Sequence, residues 1–441
     1  MPVFTREQRV ARFLNLVNPD QRSAFFKANI KPEVVDLSTA ENILLLSFLQ
    51  QNAFVNLGPV DQNTVRYPSP YIYGEPNIRK SLATFLQDQW GVAIDYNDIF
   101  GASGVVAGLE LLALALFKPG DELLVPAPLW YGFPWSFSQS AGMKLIPFQI
   151  SDGVNLTLAD VEAAVEQNPN AKLLVLTNPN NPLGVNYSRD LLEQIYSFFL
   201  QNPDRHIISD EIYAGSQVRD PSQFVTALSL NAYQTNPDRI HVTWGLSKDF
   251  GLAGFRAGFI ITQSPVAQNA LLGDSCEASS VWFSPFVTLN PYMLKRLFFD
   301  NTGAPDPALA NQAMTEYKGL LQQQYSATAE HLQGGNIPFY AENFGAIFFW
   351  IDLRAYLDRV PDTVSDQPRL CPELYSNDDP REQRLLNYIN QEADVLLVRG
   401  QECFNIEPGF FRLCYTAEEL NRVTMGIDNM VQALNRLPAA P

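Results

Sequence analysis

The sequence predicts an α/β fold, a mostly parallel sheet sandwiched by helices, with a smaller α+β domain beside it. Three observations predict it. Between about residues 61 and 305, short apolar strand-like runs alternate with longer helical patterns. A chemically distinctive residue follows each of four of those runs. Beyond residue 306 the alternation gives way to a lone apolar run, an acidic stretch and helical patterns. The expected organisation is an N-terminal segment over 1–60 that contributes to the smaller domain, a large domain over 61–305 and a small C-terminal domain over 306–441.

In chain order, "SGVVAGLELLALALF" (103–117) reads as a helix. Its apolar run from Leu109 to Phe117 contains Glu110 and is too short to span a bilayer. "DELLVP" (121–126) reads as a strand, with Trp130 shortly after it. "KLLVLT" (172–177) is followed by Asn181 in "NPNNPLG", a turn-forming composition. "RDLLEQIYSFFL" (189–200) is helical, "RHIIS" (205–209) leads to Asp210, "IHVTW" (240–244) leads to Lys248, and "AGFIIT" (257–262) is a further strand. Ligands on open parallel sheets bind beyond the carboxyl ends of the strands. Trp130, Asn181, Asp210 and Lys248 are therefore expected to converge on one crevice.

In the C-terminal part, "GAIFFWIDL" (345–353) reads as a strand and the acidic, proline-containing stretch from Asp358 to Arg381 as a surface loop. "REQRLLNYINQEADVLLV" (381–398) reads as helix then strand, and a last helix runs from Glu418 towards Leu437.

Composition narrows the function. The 441 residues are 46% hydrophobic and carry a formal net charge of −17. No basic stripe is present, so nucleic acid is not an expected partner. Cys276, Cys371, Cys403 and Cys414 lack metal-ligand spacing, His206, His241 and His331 are scattered, and no metal site is expected. The first ten residues are polar and lack a signal peptide's apolar stretch, so a cytoplasmic location and no membrane partner are expected.

Lys248 lies between a short apolar run and a turn studded with Gly251, Gly254 and Gly258. A lysine that joins an aldehyde cofactor such as pyridoxal 5′-phosphate needs specific company. The ring nitrogen needs a carboxylate, which Asp210 in "SDEIY" supplies. The phenolic oxygen needs hydrogen-bond donors, which Asn181 and Tyr213 supply. The phosphate needs a helix N-terminus and a cation; "GASGVVAG", with Ser103, Gly104 and Val105, offers the first and Arg256 the second. An aromatic plate suits Trp130. A substrate carboxylate needs a bidentate arginine, and Arg412 in "EPGFFRLCY" sits on an apolar strand-like run. Each of these motifs has an ordinary structural explanation by itself. The ordered set does not.

These blocks resemble the class I/II aminotransferases of the aspartate aminotransferase fold, and within them the 1-aminocyclopropane-1-carboxylate synthase branch. "SKDFGLAGFRAGF" is similar to the lysine block, "SDEIYAGS" to the aspartate–tyrosine block, "STAENIL" (38–44) to the LAEN block, and "EPGFFRLCY" to the substrate-arginine block. The resemblance covers nearly the whole chain. It implies pyridoxal-phosphate fold type I with a seven-stranded-type sheet, Lys248 as Schiff-base lysine, Asp210 as pyridinium partner, and Asn181 and Tyr213 on the phenolic oxygen. It also implies Arg256 on the phosphate, Arg412 on the substrate carboxylate, Glu41 towards the substrate side chain, and a homodimer; the branch's tyrosine that reaches the partner's phosphate has no clean match here, although Tyr71 and Tyr73 flank its expected place.

The sequence departs from that branch at several points. Gly245 stands where the branch has a serine, with Thr243 as a nearby hydroxyl, and Val105 or Val106 stands where it has a threonine. The segment "GFPWSFSQSAG" (132–142) has no arginine, which argues against S-adenosylmethionine as substrate. Two reactions on a free L-amino acid remain open. One is β/γ-elimination or cyclisation of the side chain, for which Glu41 suits a cationic group. The other is ordinary transamination to a 2-oxo acid. A cofactor-binding regulator would need an attached DNA-binding module or a lost lysine, and neither is seen.

Overall fold

The computed structural model describes residues 33–55, 73–218, 223–272, 289–340, 345–366 and 379–439. Residues 1–32 of the expected N-terminal segment, Tyr71, Cys276, Cys371 and part of the acidic stretch lie outside them.

Its strands are β1 (Val35–Asp36), β2 (Ile99–Ser103), β3 (Glu122–Ala127), β4 (Lys144–Gln149), β5 (Ala171–Thr177), β6 (His206–Asp210), β7 (Ile240–Gly245), β8 (Ala257–Ile261), β9 (Phe348–Asp352), β10 (Val395–Leu396), β11 (Val398–Arg399) and β12 (Phe410–Cys414). The central sheet has seven strands in the order β2-β8-β7-β6-β5-β3-β4. Every pairing is parallel except those of β8, which runs against both β2 and β7. Smaller sheets pair β1 with β10 and align β11-β12-β9 antiparallel.

The apolar runs fall where expected because parallel strands covered on both faces must be continuously hydrophobic. Leu173 to Leu176 in β5 are fully buried. The amphipathic segments become helices for the complementary reason. Taking the helices used below in chain order, α1 is Pro76–Trp90, α2 Val105–Leu116, α3 Arg189–Phe199, α4 Leu246–Asp249, α5 Ala308–Gly334, α6 Pro380–Ala393 and α7 Leu420–Asn435. Helix α3 is capped by the Ser188 hydroxyl, which accepts from Leu191 N at 3.3 Å, and it buries Leu192, Ile195, Tyr196 and Phe199 on one stripe. Helix α2 packs on β8, β7 and β2, and α7 packs on α5 and α6.

Two expectations need correction. Ser103 does not open a helix; it is the last residue of β2, and α2 starts at Val105 behind Gly104. The stretch from Asp358 to Arg381 is not a loop throughout, since Asp379 caps α6 and Pro380 and Arg381 belong to it. The run at 257–262 is the expected strand of a mostly parallel sheet, and it supplies that sheet's antiparallel pairings. Strands β2 and β4 and the 27-residue helix α5 were not anticipated.

Candidate active site

Parallel register brings the strand ends level. Thr177, Asp210 and Thr243 are directly paired across β5, β6 and β7. Asp210 is buried there, and its Oδ1 accepts from Thr243 Oγ1 at 3.2 Å. Thr243 therefore serves the carboxylate. Burial pushes the Asp210 carboxyl up to about 7, against the Thr243 hydroxyl, the Ile212 N–H and the Lys248 charge, which all favour ionisation. Such a carboxylate is poised to receive a buried cation.

Lys248 lies in α4, just past β7. Its amine donates to the Ala40 carbonyl, while its own carbonyl accepts from Asn42 Nδ2 at 2.7 Å. Burial lowers its pKa to about 8; Cys414 and Glu41 oppose the shift, and Arg412 and Arg256 add to it. The next residue fixes the turn. Asp249 is buried and accepts from Gly215 N at 2.9 Å, Ser216 Oγ at 2.8 Å and Trp244 Nε1 at 2.9 Å.

A chain of contacts runs across the crevice. Arg412 is fully buried on β12; its Nη1 donates to Asn181 Oδ1 at 3.0 Å and its Nη2 to Ser38 O at 2.7 Å. Asn181 Nδ2 then donates to the Tyr213 hydroxyl at 3.2 Å. The guanidinium lies 4.4 Å from the Phe348 ring and 5.5 Å from the Tyr131 ring, and its Nε is buried with no hydrogen-bond partner. A buried donor left over in this way is a place for an external anion.

The third feature is an anion cradle. Gly104, at φ +89°, precedes α2, whose first N–H groups have no intrahelical acceptor. A methyl group on Gly104 would come within 2.4 Å of Arg256 Nη2, so the guanidinium lies directly over this helix entrance. Arg256 itself adopts the left-handed conformation at φ +52°. A Cβ on Gly258 would meet Gly104 C and Val105 N at 2.4 Å, so β8 presses on the same turn.

Other predicted residues sit differently. The Trp130 indole folds over Gly132 and packs edge-on against Phe133, with centroids 5.3 Å apart. Its neighbour Tyr131, with Phe348, faces Arg412 instead. The Tyr73 ring lies under the Arg79 guanidinium at 4.9 Å, against α1 of its own chain. Glu41 is exposed, and its carbonyl accepts from Thr416 Oγ1 at 2.6 Å. Tyr131, Asn42 and Asp249 were missed by sequence reasoning. Tyr131, adjacent to Trp130, was the one with a readable signal.

A family model described as aminotransferase class I and II matches residues 50–427. The chain belongs to that family. These aminotransferases use pyridoxal 5′-phosphate, which is accordingly its cofactor, and its relatives put it in the 1-aminocyclopropane-1-carboxylate synthase-like branch. It is 28% identical over 402 residues to mouse "Probable inactive 1-aminocyclopropane-1-carboxylate synthase-like protein 2" and 28% identical over 375 residues to rice 1-aminocyclopropane-1-carboxylate synthase 5, covering 88% and 83% of this chain. It spans 63% of the length of each of these relatives. With Claviceps purpurea "Probable aminotransferase tcpI" it shares 28% identity over 91% of this chain and 89% of that one. The crystal structure of Rhizobium meliloti aspartate aminotransferase matches with a TM-score of 0.71 at 20% identity, covering 99% of this chain and 100% of that one, and so shares its fold. No helix among the described residues is long and apolar enough to cross a membrane.

The residues of this class I/II aminotransferase chain fit the cofactor. The cradle at Gly104 and Arg256 suits its phosphate, and buried Asp210 suits its ring nitrogen. Gly104→Ala is expected to weaken cofactor binding about tenfold, since a methyl group fills the cradle and left-handed backbone strains a side chain. Equilibrium dialysis against pyridoxal 5′-phosphate measures this, and unchanged retention would show that the phosphate sits elsewhere.

Proposed function

We propose that the chain acts on a free L-amino acid and drives elimination or cyclisation of its side chain. The observation that supports chemistry on an amino acid is the convergence of Lys248, Asp210 and the Arg412–Asn181–Tyr213 chain on one crevice; the preference for elimination or cyclisation comes from the likeness of the NPLG turn and the EPGFFR block to the synthase branch. When bound, the cofactor supplies an electron sink that weakens a bond at the substrate's Cα.

The chain's own groups do the rest. Arg412 binds the substrate carboxylate with the donor that is still unpaired. Asn181 and Tyr213 hold the cofactor's phenolic oxygen, Arg256 and the N–H groups that open α2 hold its phosphate, and Asp210 keeps its ring nitrogen protonated. Lys248, with an amine that burial makes less basic, takes the proton lost from Cα; the β- or γ-substituent departs with its bonding pair, and the ammonium left on Lys248 is the acid that can protonate Cβ or the departing group. Glu41, exposed and within electrostatic reach of Lys248, receives a cationic side chain. The absence of arginine from 132–142 supports a substrate other than S-adenosylmethionine. A homodimer belongs to this reading: α2 carries one charge in twelve residues, leaves Leu114 exposed and packs against a turn from which Trp135 projects.

Transamination is the second reading, favoured by the relative that matches this chain at nearly full length and is named an aminotransferase. A screen of free amino acids, arginine derivatives included, by mass spectrometry with and without a 2-oxo acid separates the two. Loss of a side-chain group without the acceptor supports elimination. Keto-acid formation that requires the acceptor overturns it in favour of transamination.

A further inference from the structure

Glu382 is a carboxylate with no exposed surface that takes no part in the contacts described above. It stands third in α6, after the cap Asp379, in the spacing of a capping box. In a capping box such a glutamate turns back to the N–H of its own cap. Here it does not. The Asp379 N–H donates instead to Gln401 Oε1 at 2.9 Å. Glu382 crosses to the segment 400–409, accepting from Gln401 N at 3.0 Å and from Gly409 N at 2.5 Å. Arg399 attracts this carboxylate and Glu402 repels it.

Both held amides lead to the crevice. Gly409 is followed three residues later by Arg412 on β12. Gln401 opens the turn to Cys403, whose carbonyl accepts from Leu129 N at 2.8 Å. Leu129 directly precedes Trp130 and Tyr131. Phe404, held at φ +64°, turns the chain there and offers its carbonyl to Gln149 Nε2 at 3.2 Å, at the end of β4. A large side chain is rarely held in that conformation unless its surroundings enforce it.

We propose that Glu382 is a positioning residue: it sets the aromatic wall Trp130–Tyr131 at its working separation from the carboxylate-binding Arg412 by grasping both ends of segment 400–409. The proposal rests on the reading of Arg412 given above. Its mechanical half, the linkage from Glu382 to Leu129, does not.

Two measurements on Glu382→Gln test it. The amide offers one acceptor oxygen where two N–H groups need one each. Hydrogen exchange in cofactor-free and cofactor-loaded protein is expected to quicken about tenfold in both 400–412 and 127–133. Acceleration confined to 400–412 would reduce Glu382 to a local prop and overturn the proposal. In the loaded protein, aminooxyacetate, which carries a carboxylate, is expected to react with the cofactor aldehyde about tenfold more slowly, while hydroxylamine, which has none, stays within about twofold. Equal slowing of both probes, or of neither, overturns the proposal. Protein that never takes up the cofactor would count against the functional reading, and the exchange arm would still decide the linkage. If Glu382→Gln does not fold, Gln401→Met removes the reciprocal acceptor; a smaller effect of the same pattern is expected, and a flat result refutes the linkage.

Discussion

Lys248→Ala loses turnover by at least about 10³-fold while the protein still takes up pyridoxal 5′-phosphate, because a proton carrier at the reacting carbon is worth that much and the phosphate cradle is untouched. Burial has already brought this amine down to about 8, so at neutral pH a useful fraction is free base. The two arginines beside it, Arg412 and Arg256, stay protonated and are held in other contacts, so neither is a substitute base. Borohydride treatment followed by peptide mass mapping makes the prediction concrete: the parent chain gains cofactor mass at residue 248 and the variant gains none. The sign of the pH dependence follows from the same lowering. Only the unprotonated amine attacks an aldehyde, so capture by cofactor-free protein speeds up as pH rises and levels off above about 8. A rate that falls over that range, or a variant that keeps a tenth of parental turnover, would remove Lys248 from the reaction.

Asp210→Asn is the second large effect. The substitution keeps the shape and the bond from Thr243, so the fold is expected to survive and the loss is one of charge. Unpairing a buried cation costs about 3–5 kcal/mol, which corresponds to a fall in kcat of roughly 10²–10⁴-fold. Affinity for a substrate carboxylate depends on Arg412 and should barely change. Steady-state kinetics separates the two quantities, and an equal change in both would mean that the crevice had distorted.

The order of strands with a candidate site residue at or just beyond each end was legible in the sequence, because a covered parallel strand must read as an unbroken apolar run and the residues after it emerge at the sheet's carboxyl edge. That logic located Asn181, Asp210 and Lys248. It did not locate Asn42, which lies 206 residues from the lysine whose carbonyl it holds, nor Glu382, whose spacing announces a local cap and whose bonds go elsewhere. Side chains that serve distant backbone leave no periodic trace. Strand β4 was overlooked because it lies at the sheet edge, carries Pro147 and has only part of its surface covered. The choice between Trp130 and Tyr131 as the ring facing the clamp was also beyond sequence, since adjacent aromatic residues differ only in the direction they point.

Gly245 and Val105, the latter one of the two valines that fall where the synthase-like pattern has a threonine, share one volume beside the cradle. A Cβ at 245 would stand 3.2 Å from Val105 Cγ2 and only 2.7 Å from the Ala257 carbonyl. Reintroducing the relatives' serine alone is thus barred by the backbone of the neighbouring strand, and trimming the valine would lift only the lesser obstacle. Any side chain at 245 therefore needs β8 to give way as well as the valine, so the spacing of two strands, more than the identity of one neighbour, decides which residue this corner accepts.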